Sequence, residues 1–392
     1  MATEPVGELQ LSQGRAEIIN AGGNSHPCTA NELLAELESI RRSQNRWAIG
    51  FISYEGSLPW LGLEPSRKSE LPDIHFYIYD RVVTYDNLSG TFSDPDLVSN
   101  WLEDAESPAP SWERRKVRKS ILTPLLSREE YLERVRQIKH HIHEGDIYQA
   151  NLTCRYDVSS GLDPFPAYLR LRRFNPSCYG AYLNFGGYQI LSSSPERMFL
   201  WEDDRIASSP IKGTIARGHN EEETDRNLNQ LLHSDKDRAE LVMIVDLVRN
   251  DLGKIGQIGS VTVENLYRAE IHSSLIHLVA DISARTGPDC TLSDVFRALL
   301  PGGSVTGCPK KRAVEILQQI EVAPRSVYTG CIGYVGPGRA DFNIAIRTMI
   351  HENGSYRIHA GGGIVADSIP ETEYEEMLLK AHNLFRTLGV DA

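Results

Sequence analysis

The sequence lacks the features that would place the chain in a membrane or outside the cell. Its longest aliphatic run is Leu241–Val245, whereas a membrane-spanning helix needs about 20 consecutive apolar residues. The amino terminus has no basic segment followed by an apolar one, so no secretory signal is expected. Six cysteines are scattered along the chain and lack the Cys-x-x-Cys spacing of zinc sites. This scattered arrangement is typical of reduced thiols. We therefore expect a cytoplasmic protein that does not contact a membrane.

An excess of basic residues is also absent. The 392 residues include 53 acidic and 41 basic side chains, which gives a formal net charge of −12. Nucleic-acid binding relies on clustered Lys and Arg, so we expect no nucleic-acid partner. Glycine and proline, with 31 and 20 residues, are too few for a collagen-like or low-complexity chain. With 41% hydrophobic residues the chain can bury a large core, and its length suggests two or three units.

Strand-like runs and amphipathic helices are both present, but not in strict βαβ alternation. We predict helices at residues 29–42, 127–144, 165–174, 221–232, 235–252, 293–300, 309–321 and 371–388. We predict strands at 47–54, 74–85, 146–156, 260–271, 272–282, 327–336, 342–351 and 356–361, and an antiparallel meander over 179–214. This order indicates an α/β protein of the α+β type, a sandwich and not a doubly wound sheet. The charged, proline-containing segment 103–119 is interpreted as a linker or surface loop.

One lysine and one glutamate form a candidate catalytic pair. Lys212 lies between a predicted strand end and a Gly-Thr turn, from which its amine could reach a cleft. A desolvated lysine loses its charge readily and becomes a nucleophile. Glu196 lies sixteen residues earlier and could approach Lys212 as a general acid if the strands form a hairpin. Taken singly, the two residues are more simply explained as a solvated lysine and a surface ion pair of Glu196 with Arg197.

Three glutamates form a candidate metal site. Glu240 lies on a helix with an apolar stripe, and Glu373 and Glu376 are three residues apart on one face of the last helix. Carboxylates from two helices, together with water, are suitable ligands for Mg²⁺. An ordinary charged surface is the simpler explanation of residues 373–380, and spacing alone favours it.

Two glycine-rich segments are candidate anion sites. Residues 300–310 lead into a helix N-terminus, whose free N–H groups favour an anion, but they lack the spacing of a P-loop. Residues 360–363 follow a predicted strand, where glycines would let the backbone approach a carboxylate ligand. Arg347 on the preceding strand could bind that carboxylate with two hydrogen bonds. From the residues alone we expect an enzyme with an Mg²⁺ site and a small anionic substrate; a non-enzymatic subunit is the alternative.

Seven sequence blocks, in order, resemble the chorismate-utilising enzymes. They are SSPERMFL, SPIKGT, AELVMIVDLVRNDLG, LLPGGSVTGCPKKRAVEIL, YTGCIGYVG, FNIAIRTM and AGGGIVADSIPETEYEEMLLKA. The match covers about residues 120–390, so we divide the chain into an N-terminal region, 1–119, and a chorismate-binding catalytic region, 120–392. The resemblance implies a sandwich of two large antiparallel sheets with helices outside and the active site in the cleft between them. The N-terminal region would contribute strands and a helix to this sandwich.

Within this family, two residues favour the aminodeoxychorismate synthase branch. Lys212 stands where the similar anthranilate synthases carry alanine, and Gln149 stands where isochorismate and salicylate synthases carry a lysine that activates water. The resemblance therefore implies that ammonia, not water, reacts with chorismate. The product would be 4-amino-4-deoxychorismate, for 4-aminobenzoate and folate biosynthesis. An anthranilate- or aminodeoxyisochorismate-type synthase of secondary metabolism and a non-catalytic subunit are the alternatives.

The resemblance also implies a role for each matching residue. Lys212 would attack chorismate, Glu196 would protonate the departing hydroxyl, and His277 would lie near the reacting ring carbon. The implied substrate-binding residues are Gln149, Gly213, Thr214, Ser304, Tyr328, Arg347, Gly361 and Gly363. Mg²⁺ would be held by Glu240 and Glu376, with Glu373 in support. The sequence has no Gly-x-Cys-x-Gly glutaminase turn, so a separate glutamine amidotransferase subunit is expected to supply ammonia.

Overall fold

The computed structural model describes residues 2, 4–43, 45–103, 120–272 and 275–390. The helices within these ranges are α1 (Ala30–Arg42), α2 (Tyr54–Ser57), α3 (Pro95–Glu103), α4 (Arg128–His143), α5 (Pro164–Phe174), α6 (Glu221–Leu232), α7 (Asp235–Gly253), α8 (Leu292–Leu299), α9 (Lys310–Ile320) and α10 (Pro370–Thr387). The start of α4 is confirmed, because Ser127 and Glu130 form a capping box that satisfies free N–H groups. None of these helices is both long and apolar enough to cross a bilayer.

The strands are more numerous than the sequence predicts, chiefly before residue 30. They are β1 (Gly7–Ser12), β2 (Arg15–Asn20), β3 (Ser25–Cys28), β4 (Trp47–Ile52), β5 (Ile74–Tyr79), β6 (Tyr85–Asp86), β7 (Thr91–Phe92), β8 (Ile121–Pro124), β9 (Gln149–Ser159), β10 (Tyr179–Asn184), β11 (Tyr188–Ser194), β12 (Arg197–Glu202), β13 (Arg205–Ser209), β14 (Ile211–Ala216), β15 (Thr262–Ile271), β16 (Leu275–Arg285), β17 (Gly307–Cys308), β18 (Cys331–Gly336), β19 (Arg339–Ile344), β20 (Thr348–Glu352) and β21 (Ser355–Ile364). Most of the predicted linker, residues 104–119, lies outside the described residues.

Two large antiparallel sheets contain nearly all of these strands. The larger has the order β14-β16-β13-β12-β19-β18-β4-β5-β1-β2-β3, and β15 also pairs with β16. The smaller has the order β10-β11-β20-β21-β9-β17, and β8 also pairs with β9. The N-terminal strands extend the larger sheet through the antiparallel β4–β18 pair. Two large antiparallel sheets with helices confirm the predicted fold class.

Three apolar clusters position the layers. The larger sheet packs against α1, α7 and α8, and the smaller sheet packs against α4, α5, α9 and α10. A third cluster lies between the sheets and includes Phe51 and Ile332 of the larger sheet and Ile190 and Ile350 of the smaller. Each such side chain contributes about 1.5–3 kcal/mol on burial. The helices therefore lie outside and the sheets face each other.

Two predicted elements are wrong because the chain changes sheet within them. The meander predicted over 179–214 is divided, since β11 belongs to the smaller sheet and β12 to the larger. The single strand predicted at 342–351 is likewise two strands, β19 and β20, in different sheets. The two crossings lie side by side, because the Ile344 N–H donates to the Glu196 carbonyl over 3.0 Å. Alternating hydrophobicity does not reveal which sheet a strand joins.

Candidate active site

The first crossing between the sheets positions Glu196. The connection from Ser194 to Arg197 passes between the sheets and leaves the Glu196 side chain only 5% exposed. The Ser304 hydroxyl donates to Glu196 Oε1 over 2.9 Å. Burial raises the pKa of Glu196 to about 7, because desolvation penalises the charged form. Arg197 pairs with Asp341 across 3.1 Å, so the simpler explanation of Glu196 as a surface ion pair does not apply.

A β-bulge positions Lys212. The predicted Gly-Thr turn is wrong: Gly213 lies inside β14, and the register shifts so that Lys212 faces Leu278 and Thr214 faces His277. Gly213 has φ +73°, a conformation that glycine adopts without strain. A side chain there would also lie 3.0 Å from the Asp237 side chain. Bulges re-aim side chains next to active sites, and this one sets the direction of Lys212.

The burial of Lys212 favours the neutral form of its amine. Burial lowers the pKa of Lys212, with a further contribution from Lys380. The carboxylates of Glu240, Glu196 and Glu376 act in the opposite direction, and burial outweighs them. Because all four groups act on Lys212, the structure brings the candidate acid and two candidate metal ligands to one cleft.

His277 lies on β16, where it pairs with Thr214 of β14. Its neighbours along the strand, Ile276 and Leu278, point to the opposite face and into the core, as expected for alternating side chains. His277 Nδ1 lies 2.9 Å from the Thr214 hydroxyl. Burial, with help from the positive charge of Arg347, lowers the pKa of His277 to about 4. At neutral pH the ring is therefore uncharged. One of its nitrogens carries a proton and can donate a hydrogen bond, and the other can accept one.

The three predicted metal ligands lie on α7 and α10 with lysines beside them. Glu376 forms an ion pair with Lys380 at 2.8 Å, and Glu240 lies 4.0 Å from Lys236. Burial opposes ionisation of Glu376, but Lys380, with smaller contributions from Lys236 and Lys212, outweighs it and the pKa of this carboxyl is lowered. Glu373 is buried and accepts a hydrogen bond from Ser368, and burial raises its pKa. Among the described residues, no group of three or more carboxylate, histidine or cysteine side chains is close enough to hold a metal ion.

The glycines of residues 360–363 lie inside β21 and do not follow a strand as predicted. A β-carbon on Gly361 would lie 2.3 Å from the Leu152 carbonyl oxygen, so only glycine fits. A β-carbon on Gly363 would lie 2.9 Å from Gln149 Nε2. Gln149 is 1% exposed, and within the described part of the chain no group hydrogen-bonds to either of its amide atoms. Burial of an amide without hydrogen-bond partners costs free energy, and a bound ligand could supply the missing partners of Gln149.

The second crossing positions Arg347, which does not lie on a strand as predicted. It has φ +49° between β19 and β20, and its Nη1 donates to Asn175 Oδ1 over 3.1 Å. Burial lowers the pKa of Arg347, yet an arginine keeps its charge at neutral pH. Asn175 directly follows the helix predicted over 165–174, and the Asn-Pro pair gives a turn signal but no indication of an arginine partner. Tyr328 is buried and stacks on His359 with ring centres 5.4 Å apart.

The Lys310–Asp251 ion pair was missed from the sequence. Its two atoms are 2.7 Å apart and both side chains are nearly fully buried. It fastens the start of α9, and with it the loop that contains Ser304, to the end of α7. The sequence gives only a weak signal for this ion pair, since both residues lie in charged segments that are typical of a surface.

Known proteins share both the sequence and this architecture. The family model for chorismate binding enzymes matches residues 1–386. The chain is 35% identical over 373 residues to anthranilate synthase component 1 of Acetivibrio thermocellus, covering 88% of this chain and 75% of that protein. It is 39% identical over 350 residues to aminodeoxychorismate synthase component 1 of Escherichia coli (strain K12), covering 87% and 76%.

A solved structure agrees with these relatives. Anthranilate synthase component I from Streptococcus pneumoniae TIGR4 superposes with a TM-score of 0.86 at 30% identity, over 99% of this chain and 91% of that one. The match spans both sheets and the cleft between them. The chain therefore belongs to the family of chorismate-binding enzymes.

Proposed function

We propose that this protein converts chorismate and ammonia to 4-amino-4-deoxychorismate, as an aminodeoxychorismate synthase component I. The observation that carries the proposal is Lys212, which a β-bulge directs into the cleft beside the buried Glu196. Its lowered pKa favours the neutral amine that a nucleophile needs. A simple chorismate-binding subunit would have no need of this pair.

In the first step, the Lys212 amine would attack C2 of chorismate while the C4 hydroxyl departs. Glu196, protonated below about pH 7, would give its proton to that hydroxyl, which leaves as water. The attacking amine releases one proton to solvent, so the adduct equals chorismate plus lysine less one water. The hydrogen bond from the Ser304 hydroxyl to Oε1 would hold the Glu196 carboxyl in place for this transfer.

In the second step, ammonia would add at C4 and expel Lys212, which regenerates the amine. Two displacements return the new group to the carbon that lost the hydroxyl. Gln149 cannot act as a base toward water, because a side-chain amide does not take up a proton near neutral pH. Its free amide atoms could instead bind the substrate, and neutral His277 could hold a hydrogen bond near the reacting ring.

The remaining contacts suit a dicarboxylate substrate. Arg347 is a buried cation with N–H groups in a fork that matches a carboxylate. Gly361 and Gly363 would contact the second carboxylate, and at Gly363 the missing side chain leaves space beside the Gln149 amide. Tyr328 and Thr214 would supply hydroxyls at the edge of the same site.

Glu240 and Glu376, with Glu373 in support, would hold Mg²⁺. They fit the ion in donor chemistry, since all three offer carboxylate oxygens, and Glu376 already binds a cation, the Lys380 ammonium, at 2.8 Å. When bound, Mg²⁺ supplies positive charge that neutralises a carboxylate of chorismate. Lys236 and Lys380 would then release the carboxylates that they contact here.

Product analysis tests the proposal. The purified chain, chorismate, Mg²⁺ and ammonium at raised pH should give a product with the mass of 4-amino-4-deoxychorismate. The similarity to anthranilate synthases makes anthranilate plus pyruvate the second candidate. Anthranilate is distinguished by its mass and fluorescence, and its formation as the main product would exclude the aminodeoxychorismate proposal.

We also propose that a glutamine amidotransferase subunit supplies the ammonia, as the name "component 1" of the relatives suggests. Most ammonia is protonated at neutral pH and is then not a nucleophile. The chain alone should therefore use ammonium at raised pH and remain inactive with glutamine. Addition of an amidotransferase partner should permit turnover with glutamine, whereas glutamine use by the pure chain would contradict this division of labour.

A further inference from the structure

Arg325 is a buried arginine whose side-chain N–H groups are all used. It is 1% exposed. Nε and Nη2 donate to the Glu321 carboxylate over 2.9 and 2.7 Å. Nη1 donates to the Val305 carbonyl over 2.8 Å and to the Thr329 hydroxyl over 3.2 Å. Nη2 also donates to the Asn151 carbonyl over 2.7 Å. Five donors with five acceptors is the full capacity of a guanidinium.

The carboxylate partner of Arg325 is itself fixed. Glu321 Oε1 accepts from the Thr153 N–H over 3.1 Å and from its hydroxyl over 3.0 Å. A buried ion pair persists only when its remaining hydrogen-bonding capacity is satisfied in this way. The pair therefore joins the end of α9 to the middle of β9.

Apart from Glu321, the acceptors of Arg325 belong to three segments that border the cleft. Val305 follows Ser304, which donates to Glu196. Asn151 lies on β9 two residues after Gln149. Thr329 follows Tyr328 and donates to its carbonyl over 2.6 Å. One planar group thus sets the spacing between the three segments.

The turn that contains Arg325 is strained. Ser326 and Thr329 have φ +56° and +63°, a left-handed conformation that is unfavourable for a non-glycine residue. Buried Glu55 holds the turn from the other side, since it accepts the N–H groups of Arg325 and Ser326 over 2.8 Å each. Such strain persists when the surrounding structure holds it, and it often marks a functional site.

We infer that Arg325 is a positioning residue that aligns the segments of Gln149, Ser304 and Tyr328 for the reaction. It does not reach the cleft itself. The inference rests on the proposed function, because those three residues are proposed substrate contacts and Ser304 orients the proposed acid. Without the guanidinium, the Val305 carbonyl is free to move, and Ser304 loses its fixed distance to Glu196.

The pH dependence of the reaction reports this alignment. The hydrogen bond from Ser304 lowers the pKa of Glu196 against the larger effect of burial, and the other groups that face Glu196 are the Lys212 amine and the Ile211 N–H. Loss of the Ser304 hydrogen bond should raise the pKa of Glu196. A general acid works in its protonated form, so the alkaline limb of the rate profile should move to higher pH.

The test compares Arg325→Lys with Ser304→Ala in the full chain. Lysine keeps the charge but lacks the planar fork and cannot serve all four partners. We expect kcat for chorismate consumption with ammonium and Mg²⁺ to fall about 10- to 100-fold, since small misplacements are costly. The alkaline limb should move upward in both variants. Chorismate consumption is measured, so the result does not depend on which aminated product forms.

Two further variants serve as control and as fallback. Arg134 also donates from a part-buried side chain to a backbone carbonyl, that of Ile320, but contacts none of the three segments; Arg134→Lys should match the wild type. If Arg325→Lys does not fold, Thr329→Val removes one acceptor at nearly constant volume and should show a smaller effect in the same direction.

The outcomes separate this inference from the proposed function. If Ser304→Ala moves the limb and Arg325→Lys does not, or if Arg325→Lys retains the wild-type kcat, the positioning role is wrong. An unmoved limb in Ser304→Ala would count against Glu196 as the acid, which is a failure of the proposed function. In that case kcat and KM of Arg325→Lys would test the positioning role, and values equal to those of the wild type would overturn it.

Discussion

Glu196 and Glu376 are the same type of side chain at two depths of one cleft, and their pKa values move in opposite directions. Glu196 is 5% exposed, and burial raises its pKa to about 7. The Glu376 side chain is 48% exposed, and Lys380 at 2.8 Å lowers its pKa despite partial burial. One glutamate is therefore suited to donate a proton and the other to hold a cation. Environment, not residue type, separates acid chemistry from ion binding.

The two depths also differ in what fixes the side chains. At the deep end, Glu196 and Lys212 are positioned by backbone features, a crossing between sheets and a β-bulge. At the rim, Glu240 and Glu376 project from helices and pair with long lysine side chains. Surface pairs of this kind exchange partners at little cost in free energy. Substitutions at the deep end should therefore cost more activity than substitutions at the rim.

The largest effect is expected at Lys212. Lys212→Ala should lower product formation by at least about 10³-fold, because it removes the nucleophile and with it the covalent step. Mass spectrometry should find the chorismate adduct, less one water, on the Lys212 peptide of the wild type and none on the variant. Lys311→Ala, an exposed lysine on α9, is the control and should keep full activity. An undiminished rate for Lys212→Ala in ammonium would end the covalent proposal.

The next effect is expected at Glu196. Glu196→Gln keeps the shape but cannot donate a proton, so adduct formation should slow about 10²- to 10⁴-fold. In the wild type, the protonated fraction of Glu196 falls as pH rises through about 7, so the rate of adduct formation should fall with it. Single-turnover measurements without ammonia isolate this step. A wild-type rate that stays constant from pH 6 to pH 9 would contradict the assignment.

At the rim, removal of metal should be more harmful than loss of one carboxylate. EDTA should abolish turnover, whereas Glu240→Gln or Glu376→Gln should raise the Mg²⁺ concentration for half-maximal rate by about 10- to 100-fold. Mn²⁺ binding, followed by its electron paramagnetic resonance signal, gives a second measurement without turnover. Full activity after exhaustive EDTA treatment would show that the carboxylates are only a charged surface.

The smallest effect is expected at Lys380. Lys380→Met removes the ammonium that competes with a metal ion for Glu376. An exposed helical ion pair is worth about 0.3–0.5 kcal/mol, so the Mg²⁺ requirement should fall by about twofold. Titration of activity with Mg²⁺ measures this shift. A requirement that rises instead would mean that Lys380 assists the substrate more than it opposes the metal.

Local signals in the sequence predict most helices and their starts. Ser127 and Glu130 identify the beginning of α4, since a capping box depends on residues only three apart. Helical spacing places Glu373 and Glu376 on neighbouring turns of α10. The first three strands were missed because residues 7–28 contain mixed polar and apolar positions, and pairing in the sheet stabilises them.

By itself, the sequence determined which residues are candidates for chemistry: a lysine followed by Gly-Thr, a glutamate after Ser-Pro, and carboxylates at helical spacing. Only the tertiary structure decided how they meet. The exchange of sheets at 194–197 and at 344–348 brings Glu196 and Arg347 to one cleft, and the bulge at Gly213 turns Lys212 toward them. These features depend on pairing between strands far apart in the chain, and the pKa shifts depend on burial. Neither is encoded in the spacing of neighbouring residues, because both arise from contacts that form only when the two sheets pack.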